Sequence, residues 1–528
     1  MTCFYMLPSP IFPDLYEASI VELQHGLEDG LFTSVDLVMA YLARIEEVNY
    51  QGPSIRAVLE TNPSAIQNAQ ILDFERLLYG ARGPLHGIPI LLKDNIATVA
   101  EEGMNTTAGS FALLGSVVHD DAHVTRRLRQ AGAIVLGKTS MSEWAHFRGD
   151  LPPGWCARGG QGTSPYVPLG DPSGSSSGSA VASAIGLSAA ALGTETTGSI
   201  TLPCNNQNLV GMKPTVGFTS RTGVIPISSH QDSVGPMTRT VTDAAIILNA
   251  IVGRDPLDNY TLAQPPTVPD FTAALDRDGL KGVRLGVPRN LVERADPFIV
   301  ATFNASLDIF RALGAIIMDP ADIPSLSEMD VSKNESIVLQ TDFKIEVGRY
   351  LDGLLHIPTK VRTLAGIIAF NQEHADEELV PPYWTDQSEL VASERSAINQ
   401  TYFDAIAYDR DLGATRGIDG ALKAHNISAL IAPSIVATDH TGISGYPIIT
   451  VPLGFLPPST PLDPAEPTRA KGPNMPFGLA FVGTAWSDCD LIKYAYAYEQ
   501  ATRVRLRQRA MPEAIPKTQL PDVVSIPL

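Results

Sequence analysis

The sequence predicts an α/β protein built on a mostly parallel or mixed β-sheet. Three observations predict it. From about residue 84 onward, short runs of Val, Ile, Leu and Ala alternate with longer stretches of helical spacing. The runs are apolar throughout, as strands buried on both faces are. No apolar run is long enough to span a bilayer, so the hydrophobic segments belong to a folded core. Strands alternating with helices place helices on the faces of a sheet.

In chain order, residues 14–80 read as helices. Val35, Val38, Leu42 and Ile45 form one helical face behind the cap candidate Thr33, and Ile71, Phe74 and Leu78 repeat the pattern. Ile88–Leu92 reads as a buried strand with Lys93 at its end. Val124–Gly132 reads as a short basic helix, Ile134–Leu136 as a strand, and Ser179–Ile185 as a helix of small residues. Ser188–Leu192 is again a strand, with Ser199 just beyond it. Val283–Val287, Ala429–Ala432, Ile448–Leu453 and Leu479–Val482 are further strands, and Pro297–Leu313 and Asp490–Arg503 are helical runs. Pro457–Pro476 holds seven prolines and reads as a surface loop joining two strands. Residues 320–425 are more helical and more polar, as a cap or insertion beside the sheet would be.

Composition narrows the function. The 528 residues are 44% hydrophobic and 18% charged, an ordinary globular balance. A formal charge of -19 opposes binding to nucleic acid or to an anionic membrane. Cys3, Cys156, Cys204 and Cys489 form no CxxC pair, so neither a zinc site nor a disulfide framework is expected. Met1–Leu15 is apolar, but Pro8, Pro10 and Pro13 break it and no basic residue precedes Arg44, so no signal peptide is read. The expected setting is the cytoplasm, as a monomer or homodimer.

Three motif matches fail on context. Gly132-Ala-Ile-Val-Leu-Gly137-Lys138-Thr139 has the letters of a P-loop, but its middle is itself a strand and a helix precedes it. Gly174-Ser175-Ser176-Ser177-Gly178 has the letters of a nucleophile elbow at Ser176, but a turn precedes it where the elbow needs a strand. His119-Asp-Asp-Ala-His123 reads as a helix start with Asp120 or Asp121 as cap, and no further metal ligands stand at compatible spacing.

Three residues carry the chemistry. Lys93 lies in Gly87-Ile-Pro-Ile-Leu-Leu-Lys93-Asp-Asn, where burial at a strand end would lower its pKa and let it act as a base. Ser175 lies in Asp171-Pro-Ser-Gly-Ser175-Ser-Ser-Gly-Ser-Ala. Ser199 ends Gly193-Thr-Glu-Thr-Thr-Gly-Ser199, a Gly-containing turn whose amides can converge on one point. A serine nucleophile needs a base, and the base on offer is a lysine.

These runs, with Gly211-Met-Lys-Pro-Thr-Val-Gly217, Ser220-Arg-Thr-Gly223, Asp232-Ser-Val-Gly-Pro236 and Arg239-Thr-Val-Thr-Asp243, resemble the amidase signature family. Glu143-Trp-Ala-His-Phe-Arg-Gly149, Gly154–Gln161, Ala369–His374, Gly483–Ser487 and Tyr494–Gln500 are most similar to its peptide amidases, which remove C-terminal amides. The resemblance covers roughly residues 15–505. It implies one large α/β domain over 1–528 with a mixed central sheet flanked by helices. Within it lie a helical segment at about 14–80, a catalytic core at about 81–320 and 426–505, and a helical insertion at about 320–425.

It also implies roles. Ser199 corresponds to the acylated nucleophile, Ser175 to a relay serine on a cis peptide bond, and Lys93 to the base. The amides of Thr196, Thr197, Gly198 and Ser199 correspond to the oxyanion loop. Ser176, Asp94 and Asn95 are candidate supports. The family's Gly-Gly-Ser-Ser-Gly-Gly reads Ser173-Gly-Ser-Ser-Ser-Gly178 here, and its Asp-Thr-Gly-Gly-Ser reads Glu195-Thr-Thr-Gly-Ser199. The arginine that many members place after the nucleophile is replaced by Ile200-Thr201-Leu202, which weakens a carboxylate-bearing substrate. Trp144, Phe147, Gly149, Trp155 and Arg158 are the candidate substrate pocket, with the insertion around Tyr383–Trp384. No cofactor and no metal are implied. The leading expectation is a stand-alone amidohydrolase acting on a peptide C-terminal amide or a small-molecule amide. The alternatives are the amidase subunit of an amidotransferase, an amide-hydrolysing or amide-forming tailoring enzyme, and a non-catalytic scaffold.

Overall fold

The structure is a computed structural model and describes residues 12–524. Cys3 and most of the apolar N-terminal run lie outside the described residues. Among the described residues, no helix is long and apolar enough to cross a membrane.

The frame is an eleven-stranded mixed sheet. We number its strands β1 Val58–Thr61, β2 Pro89–Lys93, β3 Ile134–Thr139, β4 Ala190–Glu195, β5 Val210–Lys213, β6 Ser233–Thr238, β7 Arg284–Gly286, β8 Ile316–Met318, β9 Ala429–Pro433, β10 Ile448–Phe455 and β11 Pro476–Val482. Their spatial order is β1-β3-β2-β4-β6-β5-β10-β11-β9-β7-β8. β2 runs parallel to both β3 and β4, while β6, β5, β10 and β11 follow in antiparallel pairings.

All seven expected strands form. β1, β5, β6 and β8 escaped the sequence reading. β6 contains Gly235 and Pro236, which read as strand breakers. Gly235 is needed there because a Cβ would stand 1.9 Å from the Met212 carbonyl oxygen of the neighbouring strand. The proline-rich stretch joins β10 to β11, as expected.

Helix Ser177–Ala184 packs on β4, β6, β2 and β3, with all of its residues buried. Small residues let it lie close to the sheet. At Gly178 a Cβ would meet the Ala57 carbonyl at 2.2 Å and the Ser140 carbonyl at 2.5 Å. The helix N-terminus, and Ser175 just before it, are thereby pressed against the strand ends.

Helix Ser34–Val48 starts at Thr33, whose hydroxyl accepts from Asp36 N at 3.1 Å, a cap worth about 1 kcal/mol. Helix Ala65–Tyr79 forms too, but its expected core face points outward: Ile71, Phe74 and Leu78 are exposed. Its polar residues decide this. Asp73 accepts from the Ser34 and Val35 amides, and Arg76 donates to the His86 carbonyl, so Ala69 and Leu72 face inward. Helix His123–Gln130 starts at Ala122 rather than at an aspartate. Asp120 and Asp121 are drawn instead to Arg126 and Arg129 of that helix.

Residues 320–425 fold mainly as helices, among them Asn334–Asp352, Leu364–Glu373, Ser388–Arg395 and Gln400–Arg410. Buried Arg148 ties them to the sheet. It pairs with buried Glu143 at 2.9 Å and donates to the Glu378, Trp384 and Asp386 carbonyls.

Candidate active site

Lys93 ends β2, where the C-terminal ends of parallel strands leave a crevice. It is fully buried. Its Nζ lies 2.8 Å from Ser175 Oγ, 2.8 Å from Thr194 Oγ1 and 3.2 Å from the Thr194 carbonyl. Burial pushes the ammonium down to about 7, against the pull of Asp232 and Glu195. At that value a large share of Lys93 is neutral near pH 7. A neutral amine has two N–H groups and one lone pair. Thr194 offers two acceptors, which leaves the lone pair for the Ser175 hydroxyl.

The peptide bond Gly174–Ser175 is cis. Ser175 is fully buried, and Ser176 N donates to the Ser199 carbonyl at 3.1 Å, so the two serine segments abut. Ser176 is bound into the frame. Its Oγ donates to the Thr194 carbonyl at 3.0 Å and accepts from Thr194 N at 3.3 Å. That hydroxyl is thus engaged by Thr194 both as donor and as acceptor. Gly193 makes room for it, since a Cβ there would come within 2.8 Å of Ser176 Oγ.

Ser199 is 8% exposed, on the turn after β4. Glu195 closes that turn: its Oε2 accepts from Ile200 N and Thr201 N, each at 2.7 Å. Gly198 has φ +80°, a left-handed conformation that glycine adopts without steric cost. With the turn held so, the amides of Thr197, Gly198 and Ser199 find no acceptor among the described residues. They are free to bind an oxyanion. The Thr196 hydroxyl donates to Asp232 at 2.6 Å, and that of Thr197 donates to Glu335 at 2.9 Å.

The other expected residues divide. Asn95 Nδ2 donates to Thr194 Oγ1 at 3.0 Å, so it shares the acceptor of Lys93. Asp94 turns away. It accepts from Thr107 Oγ1 and Gly109 N and stands 3.6 Å from Arg158. Arg158 is thus spent on Asp94, Thr107 and Glu60. Trp144 is buried with its ring edge-on to Phe343, and Phe147 packs on the same ring. Trp155 stacks on Trp384 at 5.4 Å beneath the Arg148 guanidinium. Gly149 faces Asp386 so closely that a Cβ would lie 2.3 Å from its carboxylate. Trp144, Phe147, Gly149 and Trp155 form the seam between the loop and the insertion. The sequence showed their aromatic character but not that the insertion supplies the partners that cover them.

Thr194, Glu195, Asp232 and Glu335 were missed. Thr194 and Glu195 stand inside the motif, but nothing local says that one holds the lysine and the other closes the turn. Asp232 and Glu335 reach the loop only through the fold. Among the described residues, no group of His, Cys, Asp and Glu side chains is arranged to hold a metal.

A buried lysine with a lowered pKa lies against Ser175, and Ser199 lies beside free amides, which are groups that acyl transfer needs. The chain belongs to the amidase family, whose model matches residues 36–492, and it is a hydrolase acting on amide C–N bonds. It is 40% identical to an amidase homologue of Arthroderma benhamiae over 93% of this chain and 87% of that one. The native peptide amidase of Stenotrophomonas maltophilia is 41% identical, with a TM-score of 0.84 over 95% of this chain and 99% of that chain. A peptide amidase bound to the competitive inhibitor chymostatin is 42% identical, with a TM-score of 0.85 over 93% and 98%.

Proposed function

We propose that this amidase cleaves a peptide C-terminal amide or a comparable carboxamide through an acyl-enzyme on Ser199. The observation that carries the reading is the Lys93–Ser175 contact of 2.8 Å, with both remaining Lys93 contacts on Thr194. Neutral Lys93 takes the Ser175 proton while Ser175 takes that of Ser199. Ser199 Oγ attacks the amide carbonyl, and the free amides of the 197–199 turn hold the oxyanion, each worth about 3–4 kcal/mol. The proton returns through Ser175 to the leaving nitrogen, and the C–N bond breaks. Water then attacks the ester by the same relay and frees the acid. The insertion at 320–425 and the sheet act as one amidase domain around this site.

The test is ammonia release from a panel of peptide amides and small aryl and alkyl amides. Ser199→Ala and Lys93→Ala should abolish turnover, while Ser176→Ala should keep much of it. A folded wild-type protein that turns over no amide would sink the reading. An inactive Ser176→Ala beside an active Ser199→Ala would move the nucleophile to Ser176.

A further inference from the structure

The helix Asn334–Asp352 of the insertion carries Glu335, Asp342 and Glu346. Steps of seven and four residues put these carboxylates on one helix face. All three grip the segment 228–231. Asp342 Oδ2 accepts from Ser228 Oγ at 2.6 Å and meets His230 Nδ1 at 2.7 Å. Glu346 Oε1 accepts from Ser229 N at 3.1 Å, and Glu335 Oε1 accepts from Gln231 Nε2 at 3.3 Å. The helix is thus docked on that segment in one register.

Glu335 also reaches past the segment. Its Oε1 accepts from Thr197 Oγ1 at 2.9 Å, and Thr197 belongs to the turn with the free amides. On another side of Thr197 stands Gly442, where a Cβ would come within 2.2 Å of Thr197 Oγ1. The threonine is therefore held between a backbone and a carboxylate. Its neighbour Thr196 donates to Asp232 Oδ1 at 2.6 Å, while Asp232 Oδ2 accepts from Ile227 N and Ser228 N. Both threonines of the turn are so tied, directly or through Glu335, to the segment 227–232. The tie at Thr197 is this chain's own, because the family motif reads glycine there and a glycine has no hydroxyl to donate.

An oxyanion donor contributes only when its N–H already points to where the charge develops. Fixing the Thr197 side chain fixes the backbone from which those N–H groups project. We infer that Glu335 is a positioning residue of this amidase, which through Thr197 sets the direction of the amides that hold the oxyanion, so that the insertion completes the catalytic turn. The inference rests on the reading of Ser199 as the acylated residue.

The experiment sets transition-state binding against ground-state binding. Ser199 adds to a peptide aldehyde and brings the aldehyde oxygen to the turn, whereas bound peptide amide is the ground state. Glu335→Leu and Thr197→Val each remove one end of the bond. Each should cut kcat on a peptide amide by at least about tenfold and raise the aldehyde Ki by a similar factor, with the amide KM within about threefold. The double variant should lose no more than about twofold beyond the worse single variant, since both substitutions break one bond. Glu335→Gln keeps an acceptor oxygen and should restore kcat to within about threefold of wild type. The ratio of aldehyde Ki to amide KM does not depend on how much of a preparation is folded. A tie that served stability alone would lower Tm and leave that ratio unchanged, which would overturn the inference. So would a loss carried by KM, a double variant whose loss is the product of the single losses, or a Glu335→Gln enzyme as slow as Glu335→Leu. The acyl-enzyme reading fails differently, by a Ser199→Ala enzyme that still releases ammonia.

Discussion

Lys93 and Lys138 are nearly the same residue by every local measure, and they meet different partners. Each stands near the end of a parallel strand, is fully buried, and has its pKa pushed down by burial, to about 7 and about 8. In the β2–β3 register Lys138 lies beside Leu92, and Lys93 lies beside Thr139. Side chains alternate across a strand, so the two lysines point to opposite faces of the sheet. On one face Lys93 meets Ser175, next to the helix whose Ser179 touches Thr139 at 2.7 Å. On the other, Lys138 donates to the Ile96 carbonyl at 2.6 Å and to Thr106 at 2.9 Å. Lys213 is a third case, buried, lowered to about 8, and spent on the Tyr446 carbonyl. A depressed lysine is thus a consequence of burial. It becomes a base only where its lone pair meets a hydroxyl that meets a substrate.

The sharpest way to break this comparison is to remove each lysine in turn. Lys93→Ala should lower kcat on a good peptide amide by at least about 10³-fold, within the range of a lost general base. Lys138→Met should leave kcat within about tenfold. Similar losses in kcat at both positions would mean that burial rather than contact makes the base.

The pH profile gives the next largest effect. Protonated Lys93 has no lone pair, so kcat/KM should rise with pH up to a midpoint near 7 and fall about tenfold per unit well below it. Of the nearby carboxylates, Asp232 most favours the charged form of Lys93. Asp232→Asn removes that support, so the acid limb should move to lower pH. Lys138→Met should leave it in place. A limb that moves up on Asp232→Asn, or one that follows Lys138, would assign the titration elsewhere.

How much of this could be read beforehand follows from where each contact originates. Lys93, Ser175 and Ser199 were legible because each sits in a run of small or apolar residues whose spacing demands an explanation. Ser176 was set aside because the residues before it form a turn. The seven strands found were continuous apolar runs. The four missed were short or, in β6, contained the glycine and proline that a close strand contact explains. The surroundings of Trp144 and Trp155 were not legible because aromatic residues look alike whether they line a cavity or a seam. Only the insertion, through Phe343 and Trp384, shows which.

The smallest expected effect concerns stability, and it separates the lysines in the opposite sense. Lys138 satisfies a buried carbonyl and a buried hydroxyl and stands near Asp94, which is itself buried. Methionine would fill the volume but leave those groups unpaired, at about 1–3 kcal/mol for a buried polar group. Lys93→Met also strands Thr194, but Asn95 and Ser176 still donate to that residue's two oxygens. It further removes a lysine whose protonation burial opposes. That group has a lowered folded pKa, so between about 7 and its unfolded value the unfolded chain binds more protons and folding is disfavoured toward the acid end of the window. Thermal unfolding at pH 7.5 should therefore show a lower Tm for Lys138→Met and little change or a gain for Lys93→Met. A larger Tm loss at Lys93 than at Lys138 would mean that the relay lysine also holds the fold, and that the division of labour between the two faces is wrong.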